Sequence, residues 1–355
     1  MERQLAIHSA AKRESLCPHK IFFLEKTRVG RAVIQILVDM PHPPRQKLRL
    51  VVAVPFLALI VLIDLPTTMA LATMNTKATS TAQGKWSDIA IQTAQGLTIT
   101  ERERLYEEGV MDIDWPVQIK AQSVDSTLTQ ATNTKIIHFQ RHGQGFHNVI
   151  CETWRELTGN PVNLVSTDPK ENPMLREYVL DSPLTEVGRQ QCLACRDEAS
   201  RLQPEIVVVS PLVRAIQSAE LSWSTHRSTV PWVAHEGCRE ELGLLVCNKR
   251  RSISEIQTVY PDIDFSLCAQ DDTDTLFMED QREPPRANTQ RVYDFLLYLR
   301  ALPQTEIAVV GHSAWLFNMC NAVMEIDEEH LKSWFLTSEI RSLQVTFVDK
   351  EEEKV

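Results

Sequence analysis

Glycine is scarce in this chain, 11 of 355 residues, and the 18 prolines bring the two chain-breaking types to only 29. That excludes collagen-like and Pro/Gly low-complexity classes. Basic charge is not in excess either. There are 37 Lys/Arg against 47 Asp/Glu, a net charge of −10, which argues against a general nucleic-acid binder. Cysteine is sparse, eight residues, of which the seven after residue 150 form an odd number, so no disulfide framework is expected. Cys192 and Cys195 have CxxC spacing, but no second such pair exists to complete a four-thiolate zinc site. Lying in a predicted helix, they read as buried small hydrophobes. No GxxxxGK loop and no GxGxxG turn is present, which removes the common nucleotide-binding signatures. Internal repeats are missing as well. What remains is an ordinary globular composition, 43% hydrophobic and 24% charged, long enough for two domains or one large domain with appendages.

The charge is unevenly spread. Residues 1–50 carry ten Lys/Arg and four Asp/Glu, a net +6, so the remainder carries −16. Fourteen uncharged, mostly apolar residues run from Leu50 to Ile63, and a weaker apolar stretch continues beyond Asp64. Arg45, Lys47 and Arg49 precede this run, and no Lys or Arg follows until Lys77. The segment 50–72 therefore reads as a membrane anchor with a cytosolic N-terminus, or as a targeting segment cleaved near Ala70-Leu71-Ala72. The competing reading is a buried core strand or helix, against which stands the lack of evident partners in 1–49. An anchored protein would sit in the secretory pathway, an organelle or outside the cell; the alternative is cytoplasmic. Residues 67–100 are rich in Thr, Ala, Ser and Gln and read as an exposed stalk, and ERERLYEEG (101–109) reads as a short charged helix followed by a polar run. The expected organisation is a basic region over 1–49, the apolar segment over 50–72, a linker over 73–118, a catalytic domain over 119–349 and an acidic tail over 350–355.

Within the catalytic region four apolar runs predict strands: Ile136–Phe139, Ile206–Val209, Ile307–Val310 and Leu343–Val348. The first three each end at a polar cluster and pass into a helical pattern. Further helices are expected over Thr185–Leu202 and Thr289–Leu302. Strands alternating with helices predict a three-layer α/β/α domain with a mostly parallel central sheet. Sites in such sheets form beyond the carboxyl ends of the strands. There the sequence sets Arg141 and His142 after one strand, Arg214 after a second and His312 after a third. Two arginines and two histidines converging on one crevice suggest an anion pocket with an imidazole at the reacting centre, because guanidinium forks match phosphate oxygens and histidine can form covalent intermediates. The acidic pair Glu240-Glu241 is the evident proton source for a leaving oxygen. A metal set built from His138, His142 and His147 fits the spacing poorly.

The same residues resemble the histidine phosphatase superfamily (branch 1), which includes the cofactor-dependent phosphoglycerate mutases. RHGQGFHN (Arg141–Asn148), DSPLTEVGRQQ (Asp181–Gln191), SPLVRAIQSAE (Ser210–Glu220) and GHSAWL (Gly311–Leu316) are similar to its successive motifs. More narrowly, CREELG, CNKRRSISE and PDIDFS within Cys238–Ser266, with SEIRSL (Ser338–Leu343), resemble phosphoglycerate-mutase-like proteins of plants, fungi and protists. The resemblance covers about residues 130–348 and implies the phosphoglycerate-mutase-like fold. It implies His142 as the phosphate-accepting nucleophile, Arg141, Arg214 and His312 as the phosphate pocket, and Glu240 as the proton donor. Gln144 and Asn148 of the first motif are implied as substrate contacts. Trp315 stands where close relatives have Phe and is expected to add bulk at the pocket rim.

Two questions stay open at this level. The basic run Lys249, Arg250 and Arg251 is either a second anion site for the substrate or a paired basic turn. After a phosphohistidine forms, attack by water makes a phosphatase, and return to a second hydroxyl makes a mutase. Asp262–Glu283 is rich in acids, a poor host for a bisphosphate, and this favours hydrolysis of a small phosphomonoester. A non-catalytic phospho-ligand module is the remaining alternative. No metal or other cofactor is expected, because the Arg and His charges supply the electrostatic work.

Overall fold

The computed structural model describes residues 20–26, 31–38, 48–55, 86–124, 133–268 and 271–350. The chain divides into two compact units, 1–80 and 81–355. In the first, β1 (Lys20–Lys26), β2 (Arg31–Val38) and β3 (Leu48–Pro55) form an antiparallel sheet in that order, with Phe22 opposite Ile36 and Val33 opposite Ala53. This corrects the expectation for 50–72 at its start. Residues 50–55 belong to a strand whose partner lies within 1–49, the region that was expected to offer none; the β-branched and aromatic residues of these segments suit a sheet. Residues 56–72, with the rest of that segment, lie outside the described residues. No helix among the described residues is long and apolar enough to cross a membrane.

The second unit opens with α1 (Asp88–Glu107), inside the stretch expected to be a linker. Ser87 caps it by accepting from the Ala90 N–H. Its attachments to the sheet unit are mostly long-range, and only its end, within 101–109, reads as a helix from the local pattern. Leu105 joins a small cluster with Val110, Phe317 and Ala322, and Arg102 and Arg104 reach Asn321 and Glu241.

An eight-stranded sheet follows, built from β4 (Val117–Ser123), β5 (Thr134–Arg141), β6 (Ile206–Val209), β7 (Trp232–His235), β8 (Asp264–Leu267), β9 (Glu306–Gly311), β10 (Met324–Glu325) and β11 (Ile340–Asp349). Its order is β10-β4-β11-β5-β9-β6-β7-β8, and only β11 runs antiparallel to its neighbours. The four strands read from sequence are β5, β6, β9 and β11. The helices of this unit after α1 are α2 (Phe146–Thr158), α3 (Glu186–Ala199), α4 (Val213–Ser222), α5 (Ile253–Val259), α6 (Pro285–Ala301) and α7 (Ser313–Asn318).

The apolar runs are continuous because the inner strands are buried on both faces. Ile206 and Val208 of β6, with Ile307 and Val309 of β9, enter one core with α6 and α7. Val207 and Val209, with Ala308 and Val310, enter the other with α4 and α5. Period-two alternation thus splits each strand between two helical layers, giving the expected three-layer α/β/α architecture. None of the seven cysteines of this unit is in a disulfide, and all but the half-buried Cys151 are buried.

Candidate active site

Strand register sets the site. Arg141 at the end of β5 lies opposite Gly311 at the end of β9, and the His142 N–H donates to the Gly311 carbonyl at 3.0 Å. Ser210, just past β6, donates its N–H to the Val310 carbonyl at 3.0 Å. The residues leaving three adjacent parallel strands are therefore His142, His312 and Ser210, side by side at one edge of the sheet. The His142 and His312 ring centroids are 5.1 Å apart.

The loop after β5 is clamped. The Gly143 N–H donates to Ser218 Oγ of α4, and the Gln144 N–H donates to Gln191 Oε1 of α3. Thr185, the N-cap of α3, donates its N–H to the Gln144 carbonyl. Gly188 in the first turn of α3 makes this approach feasible: a Cβ there would stand 2.1 Å from the Gln144 carbonyl oxygen and 2.7 Å from its nitrogen. That is the physical reason for the L-T-x-x-G pattern at Leu184–Gly188.

Held in this way, His142 bonds through Nδ1 to the Gly143 carbonyl oxygen at 2.6 Å, so Nδ1 carries the proton and Nε2 keeps its lone pair. Arg214 Nε faces that Nε2 at 3.4 Å, while its two terminal nitrogens donate to the Cys247 carbonyl and to Asn248 Oδ1. Arg141 donates from Nη1 to the Phe335 carbonyl. His312 Nε2 meets Ser210 Oγ at 2.7 Å. Burial, and after it the charges of Arg214 and Arg141, drive the His142 imidazole well toward neutral; burial and Arg214 do the same to His312. Three buried polar atoms in this cluster have no hydrogen-bond partner: Arg141 Nε, His312 Nδ1 and His147 Nδ1.

Glu240 closes the cluster. Its carboxylate accepts from the backbone N–H groups of Trp315 and Ala314 and from the Ser313 hydroxyl, in the first turn of α7 directly after His312. Glu241 faces another way. It pairs with Arg104 of α1 at 2.9 Å and with Arg282. Burial alone would raise its carboxyl, but the Arg282 and Arg104 guanidiniums hold it below the usual carboxylate range.

The other sequence candidates are engaged structurally. Asn148 Oδ1 accepts the Gly145 N–H and completes the cap of α2, and Gln144 Oε1 accepts from the Thr185 hydroxyl. The basic run is paired within the fold, the second of its two readings. Lys249 pairs with Glu279, Arg251 with Glu255, and the buried Arg250 with Glu236 while donating to the carbonyls of Arg251, Asp271, Asp272 and Thr273. Trp315 is likewise not at a rim. It is fully buried, packed edge-on against Phe295 at 5.3 Å, with Nε1–H donating to the Gly237 carbonyl. Sequence reasoning considered His147 only as a metal ligand; the structure sets its ring 5.4 Å from that of His142. No group of three or more His, Cys, Asp or Glu among the described residues is arranged to hold a metal ion.

Comparison with known proteins places the chain in a family. A sequence model of the histidine phosphatase superfamily (branch 1) matches residues 174–353. The first motif, 141–148, lies just before that span and is joined to it by the strand register. Phosphoglycerate mutase-like protein 1 of Arabidopsis thaliana is 30% identical over 245 residues, covering 59% of this chain and 81% of that protein. A probable phosphatase of Schizosaccharomyces pombe is 24% identical over 182 residues, covering 50% and 74%. Among solved structures, a mycobacterial glucosyl-3-phosphoglycerate phosphatase complexed with VO3 is similar at 16% identity with a TM-score of 0.35, covering 59% of this chain and 90% of that one.

Proposed function

The chain belongs to the histidine phosphatase superfamily (branch 1), and from that premise we propose that it hydrolyses small phosphomonoesters through a phosphohistidine formed on His142. One observation carries the reading: a neutral imidazole, its Nδ1–H tied to the Gly143 carbonyl, presents Nε2 among Arg141, Arg214 and His312. In the first step the Nε2 lone pair attacks phosphorus. The P–O bond to the leaving group breaks, and the Glu240 carboxyl gives its proton to that oxygen. In the second step the Glu240 carboxylate takes a proton from water, the oxygen attacks phosphorus, and the P–N bond breaks to release orthophosphate and neutral His142. Arg141 and Arg214 balance the charge on the phosphoryl oxygens. Catalysis is assigned to 119–349, with α1 bracing it from outside that range.

Hydrolysis rather than mutase chemistry is supported by the pairing of the basic run: Lys249, Arg250 and Arg251 face Glu279, Glu236 and Glu255. The mutase reading draws on the names of the Arabidopsis relatives. The test is phosphate release by the full chain from an aryl phosphate and from 3-phosphoglycerate in EDTA, beside His142→Ala. Release abolished in the variant is the expected result. Isomerisation of 3-phosphoglycerate that depends on a bisphosphorylated primer, with no net phosphate release, would favour the mutase.

A further inference from the structure

His147 has no role in the mechanism above, yet its environment resembles that of His312. Both rings lie close to that of His142, at 5.4 and 5.1 Å and with interplanar angles of 56° and 58°. Each has a buried Nδ1 without a hydrogen-bond partner. Leaving a buried polar nitrogen unmatched is costly. A ring retained only for packing would be expected to satisfy Nδ1 from a neighbour. The neighbours are otherwise occupied: Asn148 caps α2, Ser218 accepts from Gly143, and Arg214 spends its terminal nitrogens on Cys247 and Asn248.

Gly145 bears on the same point. Its φ of −92° is open to any residue, so backbone conformation does not require glycine there. Space does. A Cβ at 145 would stand 2.7 Å from both Cε1 and Nδ1 of His147. Any side chain at 145 would displace this imidazole from beside the nucleophile. Gly145 and His147 therefore act as a pair, one giving the room that the other fills.

We propose that His147 is a third imidazole of the phosphoryl pocket, donating from Nδ1 to an oxygen of the bound phosphoryl group, with Gly145 left without a side chain to seat it. The ligand class is a phosphate monoester dianion or free orthophosphate. The proposal rests on the reading of His142 as nucleophile for its catalytic part, but its binding part stands on geometry alone. Neutral His147 supplies one donor, and phosphoryl oxygens supply the acceptor that the protein does not. As the phosphoryl group becomes trigonal, its three equatorial oxygens share the developing charge, and donors from Arg141, Arg214, His312 and His147 surround it.

The experiment uses the full chain as wild type, His147→Ala, His147→Asn and Gly145→Ser. Asparagine keeps a donor near the position of Nδ1. Two readouts are taken: kcat and KM on an aryl phosphate with inhibition by orthovanadate and orthophosphate, and the rise in Tm that orthophosphate produces. The expected result is a loss of about 100-fold in kcat/KM for His147→Ala, carried mostly by kcat. Vanadate inhibition should weaken more than phosphate inhibition, asparagine should recover at least tenfold in kcat/KM, and Gly145→Ser should match His147→Ala. Unliganded Tm reports whether each variant folds. His147→Ala with kcat/KM, vanadate inhibition and phosphate-induced Tm shift all within twofold of wild type would overturn the proposal, as would Asn behaving like Ala. If wild type shows no turnover, the phosphatase reading fails by itself; the phosphate-induced Tm shift then still decides whether His147 is a phosphate ligand.

Discussion

Glu240 and Glu241 are adjacent in sequence and opposite in circumstance. Glu240 lies on the first turn of α7 beside His312, while Glu241 is locked between Arg104 and Arg282. Substituting Glu240→Gln should therefore slow turnover on alkyl phosphates by about 10²–10⁴-fold and on activated aryl phosphates far less, since a good leaving group needs no proton. Glu241→Gln should instead cost about 1 kcal/mol of stability, because Arg282 loses its carboxylate while Arg104 keeps Glu101 and Glu108, with a modest effect on the leaving-group dependence. Steady-state rates on the two substrates and urea unfolding of each variant check this split. At this scale much of the site was legible. Arg141, His142, Arg214 and His312 each follow a recognisable strand, and a pocket between parallel strand ends is implied by the topology. The basic run was not legible, because Glu236, Glu255 and Glu279, which neutralise it, show no pattern in sequence that marks them as its partners. Trp315 misled for a similar reason: its indole donates to Gly237, 78 positions away.

Helix α3 braces the loop that follows His142. Its first turn passes against the backbone of Gln144, and Gly188 provides the clearance. Gly188→Ala should push the loop 143–145 away, costing about 1–3 kcal/mol through overpacking and lowering kcat on every substrate alike. Unfolding midpoints, with rates on two unrelated phosphomonoesters, would register both effects. A stable variant of normal activity would show the contact to be dispensable. Among the elements, β5, β6, β9 and β11 were readable because apolar runs are long where strands are covered on both faces. The edge strands β10 and β8 and their neighbours β4 and β7 were not. They are short or mixed in polarity, and tertiary pairing rather than pattern decides them. Helix α1 was legible only at its end, as the charged helix candidate 101–109; its start at Asp88 falls in the stretch read as a stalk, and its anchors, Asn321, Glu241 and Phe317, lie more than 130 residues further along the chain.

For the molecule as a whole, the buried imidazoles tie stability to pH. His142, His147 and His312 are kept from protonating, first by burial and then by Arg214. His235 is held to about 4, chiefly by burial. In the unfolded chain each would take a proton near pH 6.5. Below that value the unfolded state binds more protons than the folded one, so stability falls as pH drops from 6.5 toward the folded pKa, and is fully present above 6.5. Each such group contributes a slope of up to about 1.4 kcal/mol per pH unit in that window. Urea midpoints should be flat from pH 8 to 7 and decline between 6.5 and 5, and orthophosphate should restore part of the loss.

The central claim is that phosphorus passes through His142. Rapid acid-free quenching of the full chain with a phosphorus-labelled aryl phosphate, followed by digestion, tests it most directly. The account predicts an acid-labile, alkali-stable label on the peptide containing His142, absent in His142→Ala. Phosphate release with no labelled enzyme, continuing at the wild-type rate in His142→Ala, would contradict it.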